Sequence, residues 1–141
     1  MTGGKFIVAY DGSPGSKKAL ALAANLAKGL SARLVLVRVL DPARLIDSEI
    51  NDVVKARAHY ERRYSESLAT AKEQLAELGD VVSMEVLEGN PAETIIDFAH
   101  REQAQLIIVG TRGLGGFKRL MLGSMAQALV TYSDIPVLVA K

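Results

Sequence analysis

The sequence contains no cysteine, which excludes disulfides, thiol catalysis and thiolate metal sites and leaves stability to packing alone. Neither sign of charge is in excess: 17 Lys and Arg stand against 16 Asp and Glu. No overall basic field therefore exists to attract nucleic acid, which is set aside as the main partner. No stretch approaches the ~20 consecutive apolar residues that a membrane helix needs. The opening Met1-Thr2-Gly3-Gly4-Lys5 leads straight into a strand-like run, without the basic segment and apolar stretch of a secretion signal. These absences together predict a cytoplasmic protein. His59 and His100 are the only histidines. Each falls in a predicted helix without a second imidazole at metal-ligand spacing, so both read as surface or boundary residues. Two catalytic loops are missing as well. There is no G-x-x-x-x-G-K-[ST] loop of Walker type, and no serine occupies the G-x-S-x-G turn of a nucleophile elbow.

What is present has the balance of a soluble globular chain, with 49% apolar and 23% charged residues over 141 positions. That length predicts one domain, residues 1–141, with one core. Five short apolar runs bounded by turn residues or charges read as buried strands: Phe6 to Tyr10, Arg33 to Leu40, Val81 to Leu87, Leu106 to Gly110 and Val137 to Ala140. Runs as continuously apolar as Leu106-Ile107-Ile108-Val109 indicate a parallel sheet with helices on both faces. Between them lie segments of helical period. Pro14 to Leu30 has Ser13 as cap and Pro14 in the first turn. A long helix is expected from about Ser48 to Leu78, its apolar stripe including Val53, Val54, Tyr60, Tyr64, Leu68, Ala71 and Leu75, with Gly79 as a stop. A third starts near Pro91, and a fourth covers Ser124 to Tyr132. Segment Asp41 to Asp47, which holds Pro42, reads as a surface loop. The predicted order is βαβαβαβαβ, an open five-stranded parallel α/β sheet, doubly wound with right-handed crossovers.

The chemistry concentrates between the fourth strand and the last helix. Gly110 to Ser124 holds five glycines in fifteen residues, too many for a simple connection. Glycine lets backbone N–H groups approach an anion closely and curl into a nest through positive φ, and a following helix N-terminus adds its dipole. Gly123-Ser124 would place a hydroxyl and free N–H donors at the start of the last helix, while Arg112, Lys118 and Arg119 supply positive charge. The alternative is a long connecting loop whose basic residues are simply solvated. In an open parallel sheet, ligands bind beyond the carboxyl ends of the strands where the strand order reverses. If the order is 3-2-1-4-5, the glycine loop faces the turn after strand 1, Asp11-Gly12-Ser13. There Asp11 could hydrogen-bond a ribose or help hold a divalent metal, or it could serve the turn's own N–H groups.

The pattern Gly110-x2-Gly113-x9-Gly123-Ser124, between an apolar strand and a helix and followed by Ile135-Pro136-Val137-Leu138-Val139, resembles the ATP-binding signature of the universal stress protein family. Asp11-Gly12-Ser13 is similar to that family's first motif, and the resemblance extends over the whole chain. It implies a Rossmann-like sheet of order 3-2-1-4-5 and an ATP site. By position, Ala9 and Asp11 would border the nucleotide, and Val39 would offer backbone hydrogen bonds to adenine. Gly110 would approach the ribose, with Arg112 and Gly113 near the phosphates, and Gly123, Ser124 and Met125 would cradle phosphate oxygens. Magnesium would accompany ATP, with Asp11 as the candidate ligand. Dimers are usual in the family.

Three functions follow as expectations. The first is an ATP-dependent regulator acting through protein partners, in which phosphate orders the loop. The second is a slow ATPase or nucleotidyl transferase, for which Asp11 is the only visible general base. The third is a dimeric scaffold that binds no nucleotide. Independently of the resemblance, a sheet of order 3-2-1-4-5 makes Val137 to Ala140 an apolar edge, and antiparallel pairing of this strand predicts a homodimer.

Overall fold

Local chemistry starts the helices where the sequence predicts them. Ser13 accepts the Ser16 N–H at 3.2 Å, and Pro14 supplies a fixed φ in the first turn of helix α1 (Pro14–Leu30). Asn90 does the same for the Glu93 N–H at 3.1 Å, ahead of Pro91 and helix α3 (Pro91–Arg101). The computed structural model describes residues 3–42, 53–76, 82–111 and 122–141. In chain order the elements are β1 (Lys5–Ala9), α1, β2 (Arg33–Leu40), α2 (Val53–Gln74), β3 (Val82–Glu88), α3, β4 (Leu106–Gly110), α4 (Ser124–Tyr132) and β5 (Val137–Ala140). Among the described residues no helix is long and apolar enough to cross a membrane.

The five strands form one parallel sheet of order β3-β2-β1-β4-β5, as expected. Its two faces carry separate cores. Phe6, Val8, Tyr10, Leu34, Leu36 and Ile108 pack with α1, with Ala71 of α2 and with Leu75 just past its end, both of them buried. Ile7, Ala9, Val35, Val37, Ile107 and Val109 pack with α3 and α4 through Ile95, Phe98, Ala126 and Leu129. Alternate residues of β1 and β4 thus serve opposite layers. This explains why both strands are apolar at every position past the first.

Several details differ from the expected ones. Strand β1 ends at Ala9 rather than Tyr10, although Tyr10 still donates its N–H to the Val37 carbonyl at 3.0 Å. Strand β3 is not buried on both faces: it forms a sheet edge, with Ser83, Glu85, Val86 and Glu88 exposed. The apolar stripe of α2 does not extend to Val54, which is 76% exposed. Val81, the outer parts of the expected 48–78 helix, its Gly79 stop, and the expected loop beyond Pro42 lie outside the described residues.

One glycine position is dictated by packing. A Cβ on Gly110, at the end of β4, would lie 2.6 Å from the backbone carbon and oxygen of Gly15 in the first turn of α1. Backbone cannot rotate away as a side chain can, so Gly110→Val forces α1 off the sheet. We expect a loss of about 3 kcal/mol, at the upper end of overpacking effects. Urea unfolding will measure it, and an unchanged midpoint would contradict the close approach.

Candidate functional site

The carboxyl ends of β1, β2 and β4 meet at the point where strand order reverses, which is where such sheets take their ligands. On the β1 side, the Asp11 Oδ1 accepts the Ser13 N–H at 2.9 Å, closing a tight turn. Gly12, within it, has a φ of +81°, and a Cβ there would stand 2.5 Å from the Ser67 hydroxyl of α2. That turn therefore needs glycine for conformation and for space. The other Asp11 oxygen, Oδ2, faces the Arg38 guanidinium of β2 at 4.0 Å, and the two side chains are only 20% and 15% exposed. Beneath the turn, the buried Tyr10 donates its hydroxyl to the Ser67 carbonyl at 3.4 Å. Burial, and secondarily the Asp11 charge, push the Tyr10 hydroxyl above its ordinary pKa. It consequently stays protonated as a donor.

On the β4 side, the Thr111 N–H donates to the Ala140 carbonyl at 3.2 Å, and the Thr111 carbonyl accepts the Gly123 N–H at 2.6 Å. The glycines at the two ends of the long loop are thereby brought together at a closed neck. Helix α4 begins directly after it, with Gly123 as N-cap and Ser124 as first helical residue. This start is unlike those of α1 and α3. Gly123 supplies no side-chain acceptor, and the first turn of α4, like that of α1, holds no acidic residue; a helix start of this kind favours negative charge. Gly123 has φ −61° and ψ 158°, an ordinary extended conformation. Its glycine is not required by a positive φ, contrary to the expectation for this loop.

Of the residues singled out from sequence, Ala9, Val39 and Met125 share the apolar cluster on the α3 and α4 face, Ala9 buried and the other two partly so. Gly110, Gly123 and Ser124 are gathered at the neck, and Asp11 lies in the turn after β1. Arg112, Gly113, Lys118 and Arg119 lie outside the described residues. Sequence reasoning missed Arg38, Tyr10, Ser67 and Thr111. For Arg38 a signal existed: it is a charge set within the apolar run Leu34-Val35-Leu36-Val37-Arg38-Val39-Leu40. The histidines behave as expected. His59 is exposed, and the half-exposed His100 contacts Asp134, its Nε2 lying 2.6 Å from Oδ1.

A magnesium ion fits the Asp11 carboxylate poorly. One oxygen is taken by the Ser13 N–H and the other faces a cation. Among the described residues, no three His, Cys, Asp or Glu side chains gather to hold a metal. Magnesium binds through one or two carboxylates together with substrate phosphates, and here the protein's share is a single oxygen beside Arg38.

Sheet order and flanking helices define a doubly wound α/β protein whose strand order reverses between β1 and β4. The chain belongs to the universal stress protein family, whose model matches residues 4–141. It is 36% identical to the stress response protein NhaX of Bacillus subtilis over 161 aligned positions, covering 97% of each chain. In structure it resembles the universal stress protein UspA of Lactobacillus plantarum, with a TM-score of 0.84 at 21% identity, over 100% of this chain and 99% of that one. It also resembles the Archaeoglobus fulgidus universal stress protein solved with dAMP, with a TM-score of 0.69 at 22% identity and 97% of each chain covered. A universal stress protein in complex with cAMP matches with a TM-score of 0.62 at 21% identity, over 97% and 95% of the two chains.

Proposed function

We propose that this chain binds ATP at the strand reversal and acts in the cytoplasm as a nucleotide-dependent regulator of stress response through a protein partner, working as a homodimer. The observation that carries this reading is the neck at Thr111, which presents the uncapped start of α4 beside Gly110. In that reading Ala9, Val39 and Met125 border the base, and the Val39 backbone hydrogen-bonds adenine. Asp11 and Gly110 approach the ribose. Gly123, Ser124 and the Met125 N–H cradle phosphate oxygens, with Arg112 and Gly113 contributing from the loop. Support for the ligand class comes from the two relatives in complex with adenine nucleotides, dAMP and cAMP. Any magnesium would arrive on the phosphates, and among the described residues Asp11 is the candidate protein ligand, though a poor one.

A fast phosphoryl-transfer enzyme is the poorer reading. Among the described residues at the strand reversal the candidate base is Asp11, one oxygen of which accepts a backbone N–H while the other faces a cation at 4.0 Å. Purified protein, denatured and resolved by chromatography, is expected to release ATP. Protein that releases no nucleotide and gives no calorimetric signal with added ATP is a scaffold, and the proposal fails.

A further inference from the structure

We propose that Arg38 is the site's built-in counter-cation, and that through it this protein binds ATP without requiring a magnesium ion tied to Asp11. The inference rests on the nucleotide reading above and concerns how that site handles charge. Asp11 stands in the turn opposite the uncapped α4 N-terminus, so its carboxylate would repel the triphosphate unless neutralised. A metal ion bridging carboxylate and phosphate is one solution. The chain already holds another. Arg38 rises from β2 on the Tyr10 face of the sheet, is 15% exposed, and sets Nη1 4.0 Å from Asp11 Oδ2. Meanwhile Oδ1 is fixed by the Ser13 N–H.

The consequences are steric and electrostatic. A magnesium ion demands near-octahedral oxygen ligands at about 2.1 Å and gives up its waters reluctantly. To reach Oδ2 it would have to displace a permanently charged, largely desolvated guanidinium, with cation facing cation. The guanidinium is carried on a strand of the central sheet, so it costs no recruitment from solution. Arg38 is accordingly a positioning and charge-balancing residue, one that acts through Asp11 rather than by touching the reacting phosphate.

The test is the ratio of ATP dissociation constants in EDTA and in excess magnesium, by calorimetric titration of the whole chain. For the natural sequence the ratio is expected to stay within about threefold. Arg38→Met, which removes the charge and keeps the bulk, is expected to raise it to tenfold or more, because the exposed carboxylate then needs a metal. Arg38→Lys, retaining charge, should stay near the natural ratio. A purely structural role for Arg38 would weaken both conditions equally and leave the ratio unchanged, which overturns the proposal. So does a natural protein at least tenfold weaker in EDTA whose metal requirement disappears in Asp11→Asn, since Asp11 is then a metal ligand. That last result needs no Arg38 variant to fold. Failure of ATP to bind in either condition overturns the nucleotide reading along with this one, whereas binding with a metal requirement overturns this one alone.

Discussion

Gly123→Val is expected to lower ATP affinity by at least a hundredfold, about 2.8 kcal/mol, in a protein that still folds. At φ −61° and ψ 158° the N-cap position accepts valine without strain. Glycine there makes no side-chain cap hydrogen bond, so no such bond is lost. Glycine is nevertheless a far better N-cap than a β-branched residue, and the start of α4 should weaken by about 1 kcal/mol. The effect on binding is larger because it acts on space. A phosphate oxygen must come within about 2.9 Å of the first-turn N–H groups, and a branched side chain at the N-cap stands over that approach. The neck bond from the Gly123 N–H to the Thr111 carbonyl is a backbone contact and survives the change. Calorimetric titration against ATP, paired with a thermal melt, separates the two consequences. Undiminished affinity in a folded variant would remove the phosphate-cradle assignment. Gly113→Val, at a position outside the described residues, carries the same expected loss of binding.

Much of this architecture was legible because burial on both faces writes itself into composition. Strands β2, β4 and β5 keep the boundaries read from sequence, as do helices α1 and α4. Ser13-Pro14 and Asn90-Pro91 are local signals whose partners lie three residues away. What was misread lacks that locality. Strand β3 resembles the central strands in composition, and only its place at the end of the sheet order leaves half of it exposed. Val54 continues the helical period of α2 but is 76% exposed. Gly110 looked like the first residue of a phosphate loop, yet its missing side chain is also demanded by Gly15, a contact made by tertiary packing of α1 on β4. The same holds at the site. Residue types and spacing marked Asp11 and Gly123 as candidates, but not that Arg38 opposes the Asp11 carboxylate or that Thr111 closes the loop at its neck.

Val139→Lys is expected to convert a dimer into a monomer. Among the described residues strand β5 pairs only with β4, so its other row of N–H and C=O groups forms an edge. The chain does little to protect it: Pro136 precedes the strand, Lys141 follows it, and Val137-Leu138-Val139-Ala140 between them carry neither charge nor proline. Val137, Leu138 and Val139 are each only partly buried. On the adjoining helix α4, Val130 and Tyr132 are left 50% and 77% exposed. A second copy laid antiparallel on β5 would satisfy the edge groups and cover this apolar surface under a two-fold axis, the commonest oligomer symmetry. A strand of four residues forces that axis close to its middle. Lysine at 139 then meets its own copy within a residue or two, adding like-charge repulsion to the cost of burying an ammonium group without a partner. The fold itself should survive, because Val139 lies on the edge strand and is not fully buried. Light scattering at micromolar concentration is expected to give twice the 15.1 kDa chain mass for the natural protein and the single-chain mass for the variant. A natural protein already at the single-chain mass would rule the dimer out, and a variant that remains dimeric would move the interface away from β5.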